Sequence, residues 1–296
     1  MRRRIPADGR PPAGRLPAAW RLLGGCLAAA WRLLGGCSSA ARRLIESALK
    51  VAYDDRVQDV AEPVTATTTP GAEQIEVRQF RFERPPGGTT LLLVRHGESA
   101  PARSDRPFPL VDGHGDPELD PHGVLQASLV AERLSRARRG ENISAIYVTN
   151  LCRTSQTAAP LAAALSLTPV VEADLREVHL GEWEGGTYRI RLREGGPIVD
   201  RLVREGRWDV VPGAEPDEAF IARIRRGIER IAAAHKDSLV AVFTHGGVIG
   251  RIVAEIAQSR PMLFSSAENA SITELLVTPE RWVLRSFNDT AHLESL

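Results

Sequence analysis

Lysine is nearly missing from these 296 residues: it occurs only at Lys50 and Lys236, so arginine supplies almost all of the positive charge. Cysteine is also scarce. Cys26, Cys37 and Cys152 are too few for a disulfide framework and lack metal-ligand spacing, which fits a reducing, cytoplasmic setting. No apolar run is long enough for a transmembrane helix. Only ten residues lie between Arg21 and Arg32, against a hydrocarbon core of ~30 Å. Arg2-Arg3-Arg4 followed by an apolar patch has the outline of a signal peptide, but Arg32 interrupts the patch and Arg42-Arg43 follows it, which reads against secretion. No carboxylate cluster suited to Mg²⁺ stands out, so neither a metal nor a cofactor is expected.

Charge is unevenly placed. Residues 1–50 hold ten basic against two acidic side chains, a net of +8, while the whole chain is at +1. The same segment carries a duplication: Ala18 to Cys26 recurs as Ala29 to Cys37, each copy containing Trp-Arg-Leu-Leu-Gly-Gly-Cys. Two copies are too few for a solenoid. Residues 1–60 read as a basic, low-complexity arm, flexible in solution and suited at most to weak contact with an anionic membrane through Trp20 and Trp31. No nucleic-acid partner is expected, and the sequence sets no oligomeric state. Residues 61–88 read as linker with an extra edge strand within 75–84, and 89–296 as the catalytic domain.

From 89 onward strands and helices alternate, the pattern of an α/β fold with a mostly parallel sheet, helices on both faces and an antiparallel edge. Expected strands are 90–95, 144–149, 169–172, 238–243, 271–278 and 281–287. Expected helices are 121–138, 152–165, 187–206, 215–235 and 247–258. In open α/β sheets the ligand crevice lies beyond the carboxyl ends of the strands. Chemistry-bearing residues fall there three times. Leu91-Leu92-Leu93-Val94 ends in Arg95-His96-Gly97-Glu98. Ala145-Ile146-Tyr147-Val148 runs into Thr149-Asn150-Leu151-Cys152-Arg153 and a helix. Val242-Phe243 ends in Thr244-His245-Gly246-Gly247, again entering a helix. Two His-Gly corners and an Arg corner at one sheet end are an improbable accident. A general acid is also needed, and Asp174, Glu177, Glu182 and Glu184 compete for that role on chemistry alone.

Arg95-His96-Gly97, the Leu151-x-Arg153-x-x-Gln156-Thr157-Ala158 segment, Leu175-x-Glu177 with Gly181-x-Trp183-Glu184-Gly185, and Thr244-His245-Gly246-Gly247 occur in the order of the histidine phosphatase superfamily, the phosphoglycerate mutase-like enzymes. The chain resembles that superfamily over roughly 90–290, with Thr149-Asn150 standing where the family has Ser-Pro. The resemblance implies His96 as nucleophile, Glu177 as general acid/base, and Arg95, Arg153 and His245 as ligands of the transferring phosphoryl group. Gly97 and Ser99 border the substrate. Glu98, Arg103, Arg106 and His114 lie on the adjoining loop, with His114 and His179 expected at the pocket rim. Arg189, Arg191 and Arg193 read as a solvated helix face, or as ligands for a second anionic group.

Mutases of this kind carry a longer segment between the acid and the second histidine, and a basic residue directly after the acid. Here Val178 follows Glu177, and 67 residues separate Glu177 from His245. Both favour a metal-independent phosphomonoester hydrolase acting through phosphohistidine on a small phosphorylated metabolite. Phosphoglycerate mutase-type phosphotransfer is the alternative, and a non-catalytic phosphate- or protein-binding module the alternative of another class. Two Cys-x5-Arg matches, Cys26 to Arg32 and Cys37 to Arg43, have the spacing of cysteine phosphatases but lack a preceding strand and a glycine-rich cradle.

Overall fold

The computed structural model describes residues 79, 82–136, 140–265, 267–294 and 296. The arm, its duplication, both Cys-x5-Arg matches and most of the expected linker lie outside the described residues. Residues 79–296 form one compact unit.

A six-stranded sheet runs in the order β5-β4-β6-β1-β7-β8. Its strands are β1 (Thr89–Arg95), β4 (Ile143–Val148), β5 (Val170–Val171), β6 (Leu239–Thr244), β7 (Ile272–Val277) and β8 (Trp282–Asp289). Strands β5, β4, β6 and β1 are mutually parallel, and β7 and β8 add an antiparallel edge. β1 is apolar and buried because helices cover both faces of the sheet, which removes any reason to alternate with polar residues. Its side chains still alternate in direction. Leu91 and Leu93 join one core cluster, with Val240 and Val242 of β6 and Phe220, Ile224 and Ile228 of helix α5 (Asp217–Ala234). Leu92 and Val94 join the other, with Ala241 and Phe243 of β6, Val130 of α1 (Pro121–Leu134) and Leu161 of α2 (Cys152–Leu165).

Local signals set the helix ends. Asp120 caps α1 by accepting from the Gly123 amide at 2.7 Å, with Pro121 at the first helical position. The helix expected over 187–206 is instead two, α3 (Thr187–Glu194) and α4 (Pro197–Glu205). Gly195 and Gly196 separate them with φ of +76° and +120°, outside the helical region and strained for any residue with a Cβ. The last helix, α6 (Gly246–Ile256), starts straight after His245.

A two-residue hairpin, β2 (Leu110–Val111) and β3 (His114–Gly115), turns at Asp112-Gly113, both at positive φ. Asp-Gly is the signature of that turn type. The described residues of the expected strand at 75–84, namely 79 and 82–84, are not in a strand. Segment 82–88 is tied to the body: the Gly87 amide donates to Asp237 Oδ1 at 2.6 Å, and Arg84 donates to the Asp237 carbonyl at 2.9 Å. Among the described residues no helix is long and apolar enough to cross a membrane.

Candidate active site

The parallel register of β1 and β6 pairs Arg95 with Thr244, so the next residues, His96 and His245, emerge side by side. The His96 amide donates to the Thr244 carbonyl at 3.0 Å, and the two imidazoles stand edge-to-face with centroids 5.3 Å apart. Both are buried. β4 lies on the other side of β6, so the turn after it brings Thr149 and the start of α2, with Arg153, to the same end.

Each His96 nitrogen has one assignment. Nδ1 lies 2.7 Å from the Gly97 carbonyl, which can only accept, so Nδ1 carries the proton. Nε2 is left with its lone pair. Burial, then Arg153 and Arg95, holds the ring's pKa well below the ordinary histidine value and keeps it neutral. A neutral ring with a free Nε2 is the form that can attack phosphorus.

Gly97 is a consequence of crowding. A Cβ there would meet the Gly123 carbonyl oxygen at 2.6 Å. The Gly97 amide donates to Thr157 Oγ1 at 3.0 Å, and Thr157 donates to the Arg153 carbonyl at 2.7 Å, so the His96 turn and the Arg153 turn are braced together. Asn269 Nδ2 holds the His96 carbonyl at 3.0 Å.

The cavity in front of His96, of about 160 Å³, has Arg95, Arg153 and Glu177 in its wall. Trp183, Trp208, Tyr188, Leu180, Val178 and Phe108 supply an apolar and aromatic part of the remaining wall. Arg95 reaches the Ala267 carbonyl, while Arg153 Nη1 is held by the Gly115 carbonyl at 3.0 Å and by Asp116 at 3.4 Å. Burial lowers the pKa of both guanidiniums and Glu177 opposes that shift. A buried and a half-buried cation beside one neutral imidazole make a site for a compact multivalent anion.

Glu177 is fixed by two amides: Oε1 accepts from Val178 at 2.9 Å and Oε2 from Gly247 at 3.1 Å. The close approach of Glu177 explains Gly247, since a Cβ there would come within 2.3 Å of Glu177 Oε1. Of the competing acids, Glu184 also lines this cavity, while Asp174 and Glu182 lie outside its wall. Glu184 accepts from the Leu180 and Gly115 amides, and Asp174 pairs with Arg230. Glu182 is exposed and outside the cavity wall.

His245 is fully buried beside this wall rather than part of it. Its Nε2 lies 3.0 Å from Thr149 Oγ1, and its Nδ1 has no hydrogen-bond partner. Burial and Arg153 lower its pKa well below the ordinary value.

Ser99 lies in a larger outer cavity, where its hydroxyl accepts from Arg189 at 2.7 Å. Arg95 and Arg189 border both cavities. Arg193 and Arg103 face the outer one, Arg103 paired with Asp105, while Arg191 pairs with Glu194. His114, expected at the rim, is buried and lines the inner cavity, because it sits on the second strand of the β2–β3 hairpin; His179 packs edge-on against it, at 5.1 Å. Cys152, next to Arg153, has its thiol pKa pushed up to about 12 by burial and stays protonated.

Two supporting residues escaped the sequence reading. Asp116 holds Arg153 and also accepts from the Cys152 amide at 2.9 Å. Arg223, buried on α5, pairs with Glu215 and donates to the carbonyls of Asp174, Arg176 and Glu177, pinning the segment that presents Glu177. An arginine on the apolar face of an otherwise amphipathic helix was its only signal.

The model of the histidine phosphatase superfamily, branch 1, matches residues 91–290. The chain belongs to this superfamily and is an enzyme of its phosphatase type. It is 33% identical over 208 residues to phosphoglycerate mutase-like protein 4 of Arabidopsis thaliana, covering 69% of this chain and 86% of that one. It is 30% identical over 213 residues to the metal-independent phosphoserine phosphatase of the same plant, covering 70% and 84%. Among solved structures, mycobacterial glucosyl-3-phosphoglycerate phosphatase superposes with a TM-score of 0.55 at 26% identity, covering 69% of this chain and 100% of that one.

Proposed function

We propose that the chain hydrolyses a small phosphomonoester at His96 without a metal ion, with Arg95, Arg153, Glu177 and His245 in the roles that the superfamily assigns. The observation that carries this is the His96 ring itself. Its Nδ1–H is spent on the Gly97 carbonyl, its Nε2 is free, and Arg95, Arg153 and Glu177 share its cavity. Nε2 attacks phosphorus in line; the N–P bond forms as the ester P–O bond breaks. Glu177 delivers a proton to the departing alkoxide. The same carboxylate then takes a proton from water, whose oxygen attacks phosphorus and releases inorganic phosphate and the neutral ring. The guanidiniums of Arg95 and Arg153 and the donor on His245 hold the equatorial oxygens, where charge spreads in the transition state.

The small volume of the inner cavity, about 160 Å³, supports a compact leaving group. Apolar Val178 after the acid supports transfer to water rather than to a second alcohol. Both Arabidopsis relatives and the mycobacterial structure carry names of phosphoryl chemistry on small metabolites, and the phosphoserine enzyme's name includes metal independence. All five proposed catalytic residues follow position 94, which supports catalysis by residues 79–296 alone and leaves the basic arm as an address for an anionic surface. The scarcity of cysteine supports a cytoplasmic location.

The test is a panel of phosphorylated metabolites plus 4-nitrophenyl phosphate, assayed with and without a chelator. Release of inorganic phosphate unaffected by the chelator is expected. Activity lost in the chelator and restored by added metal would overturn the metal-independent reading.

A further inference from the structure

Thr149 occupies the first position of the turn that delivers Arg153, and it is buried. Three hydroxyl and ring groups there have more contacts than protons. Thr154 Oγ1 lies 2.8 Å from the Leu151 carbonyl, an obligate acceptor, so the Thr154 proton is used there. Thr154 Oγ1 in turn accepts from the Thr149 amide at 3.1 Å. Thr149 Oγ1 accepts from the Leu151 amide at 3.3 Å and has one proton to give. Its two candidate acceptors are His245 Nε2 at 3.0 Å and Thr154 Oγ1 at 3.1 Å.

The choice sets the chemistry of His245. If Thr149 donates to Thr154, His245 Nε2 must be the donor to Thr149, and Nδ1 is left as a bare lone pair. A phosphoryl dianion has no proton to offer it, so two acceptors would face each other. If Thr149 donates to Nε2, the ring proton is on Nδ1. That atom, buried and without a partner in the unliganded chain, then has a donor for a phosphoryl oxygen.

We infer that the Thr149 hydroxyl is a positioning residue that donates to His245 Nε2 and so fixes His245 as the Nδ1–H tautomer, the form able to donate to the phosphoryl group. This rests on the proposed phosphoryl-binding role of His245. The hydroxyl is what counts, so serine replaces threonine and valine, its near-isostere, does not.

The test uses the full chain with ¹⁵N-labelled histidine, in the wild type and in Thr149→Ser and Thr149→Val. Long-range ¹H–¹⁵N spectra at neutral pH report the protonated nitrogen of each ring. The expected result is Nδ1–H at His245 in the wild type and in Thr149→Ser, and loss of that single tautomer in Thr149→Val. With 4-nitrophenyl phosphate, Thr149→Val should lower kcat/KM on the order of 10–100-fold, the scale of loss when a partner that orients a metal-bound histidine is removed. Thr149→Ser should stay within about threefold of wild type, since the donor is retained. An Nε2–H tautomer in the wild type overturns the inference whether or not Thr149→Val folds, and so does a folded Thr149→Val with wild-type kinetics and tautomer. His245→Gln at full activity would instead remove the phosphoryl role of His245 while the spectra leave the tautomer assignment standing.

Discussion

The two His-Gly corners begin alike and end as opposites. Each follows a buried parallel strand, the strands are neighbours, and the histidines are adjacent in register. After His96 the chain enters a loop that turns its own Gly97 carbonyl onto Nδ1, and Nε2 is left free. After His245 the chain enters helix α6 directly, and a side chain from another turn, Thr149, engages Nε2. The same dipeptide thus presents Nε2 in one case and Nδ1 in the other. In the proposed mechanism, what separates the nucleophile from the donor is which ring nitrogen its surroundings engage, a backbone carbonyl at His96 and a side-chain hydroxyl at His245.

The largest effect that follows is an asymmetry between the two histidines. His96→Ala should abolish turnover, because it removes the ring nitrogen that the proposed reaction uses as nucleophile, in the cavity shared with Arg95 and Arg153. His245→Gln should lower kcat by about 10²–10³-fold, the cost of losing one preorganised donor. Steady-state rates on an aryl phosphate decide it, and equal losses for the two variants would erase the distinction between the corners.

A second effect lies with the acid that the His245 corner supports. Glu177→Gln should slow hydrolysis of alkyl phosphates by roughly 10²–10⁴-fold. Aryl phosphates, whose leaving groups need little protonation, should suffer less. Gly247→Ala places a methyl group 2.3 Å from Glu177 Oε1 and should reproduce the same leaving-group dependence without touching the carboxylate chemically. Uniform slowing of aryl and alkyl substrates would move the acid role elsewhere.

The smallest effect concerns what the two corners share. Burial depresses the pKa of His96 and of His245. The folded chain therefore keeps both rings neutral below the ordinary histidine pKa, while the unfolded chain takes up two protons. Stability falls as pH drops through about 6.5, by roughly 1.4 kcal/mol per pH unit for each ring. Denaturant midpoints between pH 7 and 5.5 should fall more steeply for the wild type than for a His96→Gln, His245→Gln variant. Parallel curves would mean that the rings titrate normally.

The strand-end corners were legible because a strand buried on both faces is a contiguous apolar run, and polar residues interrupting its end stand out. Arg95, His96 and His245 could be placed at one sheet end on that basis, and Arg153 through the helix start at Cys152. The division of α3 from α4 was written in Gly195-Gly196, and the β2–β3 turn in Asp112-Gly113, but both are short-range signals within segments of weak periodicity. The contacts of Asp116, Thr149 and Arg223 were not legible. Each depends on which distant segments the fold brings together: Thr149 meets His245 across 96 positions, and Arg223 meets the Glu177 carbonyl across 46. A pattern along the chain carries no direct record of such pairs.

The most direct test of the account is the site of phosphate attachment during turnover. A reaction quenched at alkaline pH, where phosphohistidine survives, would be digested and read by mass spectrometry, and the isomer assigned by ³¹P NMR. The account predicts one phosphate per chain, on Nε2 of His96, and none in His96→Ala. Phosphate on His245, on Nδ1 of His96, or a fully active enzyme that never becomes phosphorylated would contradict it.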